Sequence, residues 1–236
     1  MILRVRNAVL DAFAALSPVD CAGCGSADRS LCVNCSRELQ AAVTPRTLAD
    51  GSTVFTALRY EGVTRQALLA LKESGRTDVA KPLGAALAAA LARVATPGVE
   101  VVPIPTSRLA WRRRGYDPVV LLGRKAGYPL ARVLAQRRVT TSQKTLGADD
   151  RAGNLHDSMR ARVSLVGRRF VLIDDVLTTG ATFTEAMRAI RAAGGEVVGG
   201  AALAFTPRLF GRRENAEAIA SDFVRQRGYG GEKAQE

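Results

Sequence analysis

Long hydrophobic runs are missing from this sequence. The longest apolar stretch, Leu83 to Leu91, is rich in alanine and falls far short of the roughly 20 residues that a membrane-spanning helix needs. An integral membrane protein is therefore excluded. The apolar run near the N-terminus is interrupted by Asp11, and no cleavage motif follows it, so no secretory signal is predicted and a cytoplasmic location is expected.

Aromatic residues and histidine are also scarce. Phe, Trp and Tyr make up 5% of the chain, and only Trp111, Tyr116 and Tyr128 fall between residues 101 and 169. This disfavours a surface that binds nucleic acid by stacking on many bases. His156 is the single histidine. Because no partner for it is evident, we interpret it as part of a loop and not as a catalytic base.

Cysteine is confined to one short segment, since none follows Cys35. This excludes a disulfide framework along the chain. The two Cys-x2-Cys pairs are separated by seven residues, and four thiolates so arranged predict a tetrahedral, structural zinc site that serves as a docking surface. A redox dithiol and two local disulfides are the alternatives, disfavoured by the duplicated pair and by the expected compartment. The predicted zinc ligands are Cys21, Cys24, Cys32 and Cys35.

Acidic residues are few in the middle of the chain. Residues 101–169 contain thirteen Arg and two Lys against four Asp, a net +11 of the +12 carried by the whole sequence. A general preference for arginine over lysine explains why the basic residues are mostly arginine, but it does not explain why this segment has so few acidic residues. The concentrated positive charge predicts a polyanionic ligand, either a phosphate-bearing small molecule or nucleic acid.

The order of the predicted elements indicates an α/β fold with a parallel sheet. From Val54 onward, strand and helix patterns alternate, which is typical of right-handed crossovers between parallel strands. We predict an N-terminal helix and cysteine module over residues 1–50, the α/β domain over 51–207, and a charged, partly disordered tail over 208–236. The domain boundary is placed in a Pro-, Thr-, Gly- and Ser-bearing connection over residues 44–53.

The segment of residues 171–182, with the sequence VLIDDVLTTGAT, is the most informative. An apolar strand leads into two adjacent carboxylates and then into a Thr-Thr-Gly loop that begins a helix. Loop N–H groups and the positive helix end would bind a 5-phosphate, while the carboxylates would accept hydrogen bonds from ribose hydroxyls. A surface strand end with an Asp-capped turn is the alternative, disfavoured by the complete pattern. The predicted ligand-binding residues are Asp174, Asp175, Leu177, Thr178, Thr179, Gly180, Ala181 and Thr182.

This segment resembles the 5-phosphoribosyl 1-diphosphate (PRPP) signature of type I phosphoribosyltransferases. Other motifs match, in order, the ComF family of competence-associated phosphoribosyltransferase-like proteins, and the resemblance covers residues 10–206. Those motifs are the cysteine module, Tyr60-Glu61-Gly62, Leu71-Lys72, Val102-Pro103-Ile104-Pro105, Arg112-Arg113-Arg114-Gly115-Tyr116, Gln143, Leu146, Arg151 and Asn154.

The resemblance implies a type I phosphoribosyltransferase-like fold and a role for several further residues. A loop over residues 138–155 would close on the site, with Arg151 as a catalytic residue beside Asp174 and Asp175, and with Asn154. Mg²⁺ would bind together with PRPP. The residues implied to contact the diphosphate are Thr106, Ser107, Arg108, Arg112, Arg113 and Arg114.

One motif departs from the family pattern. Gly115-Tyr116-Asp117-Pro118 stands where the family usually carries Gly-Phe-Asn-Gln, which puts contacts to the acceptor in doubt. Two functions therefore stay open: transfer of a phosphoribosyl group to a nitrogenous acceptor, or binding of nucleotide or single-stranded DNA in DNA uptake without turnover. The acceptor is not specified, and a homodimer is left open.

Overall fold

The structure, a computed structural model, describes residues 19–27, 30–137 and 157–207. The predicted N-terminal helix, the predicted loop over residues 138–155 and the tail over 208–236 lie outside the described residues.

Five of the described strands form the central sheet, in the order β1-β2-β7-β6-β3. β1 pairs antiparallel with β2 at one edge, and the other neighbours are parallel, as predicted. Parallel strands end on the same side, and this carboxyl edge is where open α/β sheets bind ligands. β4 and β5 form a separate antiparallel ribbon. The strands are β1 (Thr44–Thr47), β2 (Thr53–Arg59), β3 (Val99–Pro103), β4 (Leu134–Gln136), β5 (Met159–Ala161), β6 (Arg169–Leu177) and β7 (Glu196–Phe205).

Helices cover both faces of this sheet. One face is packed by α2, α3 and α5, and the other by α6 with residues such as Phe183 and Met187. Because both faces are buried, the strand residues 170–173 are apolar without alternation, as is typical of parallel strands. The helices are α1 (Val33–Glu38), α2 (Gly62–Glu73), α3 (Ala80–Leu91), α4 (Arg108–Arg114), α5 (Pro118–Lys125) and α6 (Ala181–Arg191), with a 3₁₀ turn at Thr77–Val79.

Several elements differ from the sequence-based prediction. β1 forms within the predicted connection, and β4 and β5, which were not predicted, lie on either side of the predicted loop over residues 138–155. The strand predicted to end at Ile173 continues to Leu177, because β7 keeps pairing with it up to the Leu177–Phe205 pair. The two predicted carboxylates therefore lie within β6 and not beyond its end.

Candidate functional site

Asp174 and Asp175 lie where β6 extends past its neighbour β3. β3 ends at Pro103, opposite Ile173, and beyond this pair β6 continues beside β7 alone. The Asp175 N–H donates to Asp174 Oδ1 at 2.8 Å. Burial, followed by the charge of Asp175, raises the pKa of Asp174 well above its ordinary value. Ionisation of Asp174 is therefore disfavoured beside the carboxylate of Asp175.

The partner of that carboxylate is Lys72, to which the sequence assigned no role. Its Nζ lies 2.8 Å from Asp175 Oδ1, and the two side chains are only 21% and 14% exposed. Lys72 belongs to the last turn of α2, so the helix end places a positive charge against the carboxyl edge of the sheet. The only sequence feature that pointed to Lys72 was the Leu71-Lys72 motif, and this motif did not indicate that Lys72 pairs with Asp175.

The Thr-Thr-Gly loop connects β6 to α6. Leu177 is buried, Thr178 and Thr179 are exposed, and Gly180 has a φ of +83° at the N-cap of the helix. An added Cβ at Gly180 would lie 2.6 Å from Leu48 Cδ2, so glycine is required by both backbone conformation and space. The predicted ligand-binding residues Ala181 and Thr182 form the first turn of α6, whose N–H groups have no intrahelical partners.

The loop after β3 lies at the neighbouring strand end. The Ile104 N–H donates to the Ile173 carbonyl at 2.9 Å, one residue before Asp174, and Thr106 and Ser107 follow Ile104 by two and three residues. Ser107 is the N-cap of α4, and its Oγ accepts from the Ala110 N–H at 3.2 Å. Arg108 is the first residue of this helix, and its side chain lies outside the described residues.

The three clustered arginines lie on α4, whose other end faces α2. Arg112 is exposed. Arg113 and Arg114 both contact Glu73, at 2.7 and 3.2 Å, and Arg114 Nε donates to the Lys72 carbonyl at 2.8 Å. The cluster is thus tied to the helix end that also supplies Lys72.

The departing motif at residues 115–118 has a local structural role. The Asp117 carboxylate caps α5 by accepting from the Val119 and Val120 N–H groups at 3.0 and 3.2 Å, and Pro118 is the first residue of the helix. An acceptor side chain at the N-cap and a proline at the next position together favour a helix start. Tyr116 donates from its hydroxyl to the Leu71 carbonyl at the end of α2. Arg151, Asn154 and His156 lie outside the described residues.

The four cysteines converge as predicted. All four Sγ atoms lie within 4.8 Å of one another, and those of Cys24 and Cys32 are 3.8 Å apart. Zn–S bonds of about 2.3 Å place tetrahedral thiolates about 3.8 Å apart, so this donor set fits zinc. Cys32 is also the N-cap of α1, which brings Cys35 to the cluster from the first turn of that helix.

The two buried thiols have opposite acidities. Burial raises the pKa of Cys21, but N–H groups of Cys32, Cys24 and Gly23 outweigh it and lower that pKa to about 6. Burial and the neighbouring thiols raise the pKa of Cys35 above its ordinary value. Cys21 is therefore the more acidic of the two buried thiols, and a metal would displace the proton of Cys35 on binding.

The cysteine module packs directly on α2. An added Cβ at Gly23 would lie 2.7 Å from Cys35 Sγ and 2.9 Å from Val63 Cγ1, so the first cysteine turn touches the start of that helix. Just beyond the other end of α2, Arg76 Nη1 donates to the Asp20 carbonyl at 3.0 Å.

Among the described helices, none has the length and apolar character needed to cross a membrane.

Comparisons with known proteins identify the family. The chain is 31% identical over 106 residues to competence protein F of Haemophilus influenzae, covering 42% of this chain and 46% of that protein. It is 31% identical over 129 residues to the DNA utilization protein YhgH of Escherichia coli K12, covering 49% and 55%. The chain thus spans about half the length of the curated relatives it matches. A crystal structure of adenine phosphoribosyltransferase from Rhodothermus marinus has a TM-score of 0.39 and 18% identity, covering 78% of this chain and 93% of that one.

The family match includes the two carboxyl groups and most of the loop residues described above, but not Lys72. The phosphoribosyl transferase domain matches residues 106–224, about half of the chain, and this range contains Thr106, Ser107, the two carboxyl groups and the Thr-Thr-Gly loop. The resemblance to the ComF type is confirmed by these relatives. The chain belongs to the phosphoribosyl transferase domain family, with the type I fold and a four-cysteine cluster of the kind that holds zinc.

Proposed function

We propose that this protein binds PRPP as its magnesium complex at the carboxyl edge of the sheet. The single observation that carries the proposal is the position of Gly180, which begins an 11-residue helix beside two adjacent carboxyl groups. The loop and helix end suit the 5-phosphate, and Asp174 and Asp175 suit the ribose hydroxyls. Thr106, Ser107 and the arginines of α4 would face the diphosphate. Mg²⁺ would arrive with the diphosphate oxygens, as part of the ligand.

The proposed reaction is transfer of the phosphoribosyl group to a nitrogenous acceptor. The bond from ribose C1 to the diphosphate oxygen breaks and takes its electron pair with it, a bond from the acceptor nitrogen to C1 forms, and the acceptor nitrogen loses a proton. Arginine side chains and the magnesium ion stabilise the departing charge. Arg151 remains the predicted catalytic residue of the closing loop. Since Asp117 and Pro118 serve the start of α5, the acceptor contacts expected from the family's Asn-Gln are not assigned to them.

Calorimetric titration of PRPP with Mg²⁺ tests this proposal. The zinc-loaded protein is expected to bind with a Kd of about 1–100 μM, and the Asp174→Ala/Asp175→Ala double variant to bind at least about 100-fold more weakly, because charge-assisted hydrogen bonds to the ribose are lost. Diphosphate release in the presence of candidate bases then tests transfer. A folded wild-type protein that does not bind PRPP would overturn the proposal.

A second candidate function is binding of single-stranded DNA, in line with the names of the two relatives. A cavity of about 450 Å³ lies between the β4-β5 ribbon and α6, over a floor of alanines, Met159 and Val163. Its lining includes four arginines and no aromatic residue among the described positions, which favours contact with phosphates over stacking on bases. The arginines are Arg137, Arg160, Arg162 and Arg188.

The salt dependence of DNA binding tests the second function. A 20-nucleotide single strand should bind with an affinity that falls steeply with salt, and Arg160→Gln/Arg162→Gln should reduce the log–log slope by about 1.4, or about 0.7 for each phosphate contact. Arg93→Gln, an exposed arginine just after α3, is the matched control and should leave the slope unchanged. An equal slope in the double variant and the control would exclude this cavity as a DNA site.

A further inference from the structure

A small cationic pocket separates the end of α2 from α4. Its volume is about 210 Å³, and it is lined by Lys72, Glu73, Gly75, Arg113, Arg114 and Tyr116. Its position is fixed, because Arg114 and Tyr116 donate to the Lys72 and Leu71 carbonyls at the helix end. Three cationic side chains and one carboxylate therefore surround a space suited to a compact anion.

Each cation in this pocket is paired with a carboxylate of the chain itself. Lys72 contacts Asp175, and both Arg113 and Arg114 contact Glu73. The Glu73 side chain is 46% exposed and that of Arg113 is 64% exposed, so their ion pair is of the weak, solvent-screened kind. An anion with more charge than one carboxylate would compete effectively for the same guanidinium groups.

The chemistry of PRPP connects this pocket to the carboxylate pair. The diphosphate is attached to C1 of the ribose, and the hydroxyl groups that the carboxyl groups would bind are on C2 and C3, of which C2 is adjacent to C1. Lys72 Nζ lies 2.8 Å from Asp175 Oδ1. A cation this close to the carboxylate that would hold those hydroxyls would be within reach of a diphosphate on the same ribose ring.

We propose that Lys72 selects for the 1-diphosphate of the ligand and that Glu73 is a built-in competitor for it. Without ligand, Lys72 neutralises Asp175, and Glu73 holds the two arginines. When PRPP binds, Asp175 accepts from the ribose hydroxyls, Lys72 turns to the diphosphate, and Arg113 and Arg114 exchange Glu73 for phosphate oxygens. This inference rests on the proposed function and adds two residues outside the predicted site.

Parallel titrations with PRPP and with ribose 5-phosphate, both with Mg²⁺, test the role of Lys72. Lys72→Met should weaken PRPP binding by about 10- to 100-fold, the loss expected for one hydrogen bond between charged groups, and should change ribose 5-phosphate binding by less than about 3-fold. The ratio of the two affinities should therefore collapse. Lys72→Arg should restore part of that ratio. Lys81→Met, which removes an exposed lysine from α3, should leave it unchanged.

Glu73 gives a result of the opposite sign. Glu73→Gln should tighten PRPP binding by about 2- to 5-fold, because the arginines no longer have to leave a carboxylate. Glu61→Gln is the matched control: Glu61 precedes the same helix, is 57% exposed and contacts Arg59 at 2.6 Å, far from the pocket. The control should bind as the wild type does.

The outcomes separate this inference from the proposed function. If the wild type binds neither ligand, both fail. If it binds PRPP and Lys72→Met keeps the ratio of the two affinities, the selection by Lys72 is wrong while the PRPP site stands. Unchanged or weaker PRPP binding by Glu73→Gln would overturn the role of Glu73. If Lys72→Met lowers the melting temperature, its binding data are set aside. The test then rests on the ratio of PRPP to ribose 5-phosphate affinity in Lys72→Arg and on the gain in PRPP affinity in Glu73→Gln, since both variants keep a side chain of similar size.

Discussion

Removal of zinc from the four-cysteine module is expected to lower the melting temperature of the protein by about 10 °C. The module is short and lacks a core of its own, and its buried residues, Cys21, Cys35 and Leu39, belong to the same apolar cluster as Val63 of α2. For such a segment the free energy of metal binding is free energy of folding. Thermal unfolding followed before and after EDTA treatment, with released zinc measured by a metal-sensitive dye, gives the shift.

Two variants show whether the thiolates are responsible. Cys35→Ser should melt at a lower temperature from the start and should not respond to EDTA. Ser26→Ala removes a hydroxyl that lies 2.7 Å from Cys24 Sγ but supplies no ligand, so it should keep the full response. A melting temperature that responds to reductant and not to EDTA, with no zinc released, would favour the two disulfides instead.

The prediction of the strands shows which patterns a single sequence carries well. Buried strands such as β6 were found because their apolar runs follow from burial on both faces. β1 was not predicted because its sequence, Thr-Pro-Arg-Thr, is short and contains a proline. A proline is tolerated in an edge strand, but in a sequence it usually indicates a turn. α4 was missed because Leu109 and Trp111 are exposed, so this helix shows no apolar stripe.

The site illustrates a different limit. The carboxylates and the Thr-Thr-Gly loop are adjacent in sequence, so their chemistry could be predicted from spacing alone. The contacts of Lys72 with Asp175 and of Glu73 with Arg113 join residues far apart in the chain, and they depend on how α2 crosses the end of the sheet. The residue types alone do not specify how a helix crosses the end of the sheet. For this reason the arginines of α4 were predicted to contact the diphosphate, and their ion pairs with Glu73 were not predicted.

The two adjacent aspartates should respond differently to the same substitution. Asp175→Asn is expected to weaken binding of Mg²⁺-PRPP by about 100-fold, because it removes the charge that strengthens hydrogen bonds from the ribose hydroxyls. Asp174→Asn should weaken binding less than Asp175→Asn does, because burial and the charge of Asp175 already raise the pKa of Asp174 and disfavour its ionised form. Calorimetric titration of both variants measures the difference.

Stability against pH gives an independent measure of the same asymmetry. Because burial and the charge of Asp175 raise the pKa of Asp174 in the folded state, the contribution of Asp174 to stability is fully present below its unfolded pKa of 3.8 and is lost as the pH rises through the folded pKa. Asp174→Asn cannot ionise, so its melting temperature should exceed that of the wild type at pH 8, and the gap should narrow toward pH 4. Suppose instead that the difference in melting temperature stays constant and that Asp174→Asn loses as much PRPP binding as Asp175→Asn. Both aspartates would then be ionised and act alike. Lys72 would neutralise a pair of charges, and its exchange to the diphosphate would leave two carboxylates to bind the ribose hydroxyls.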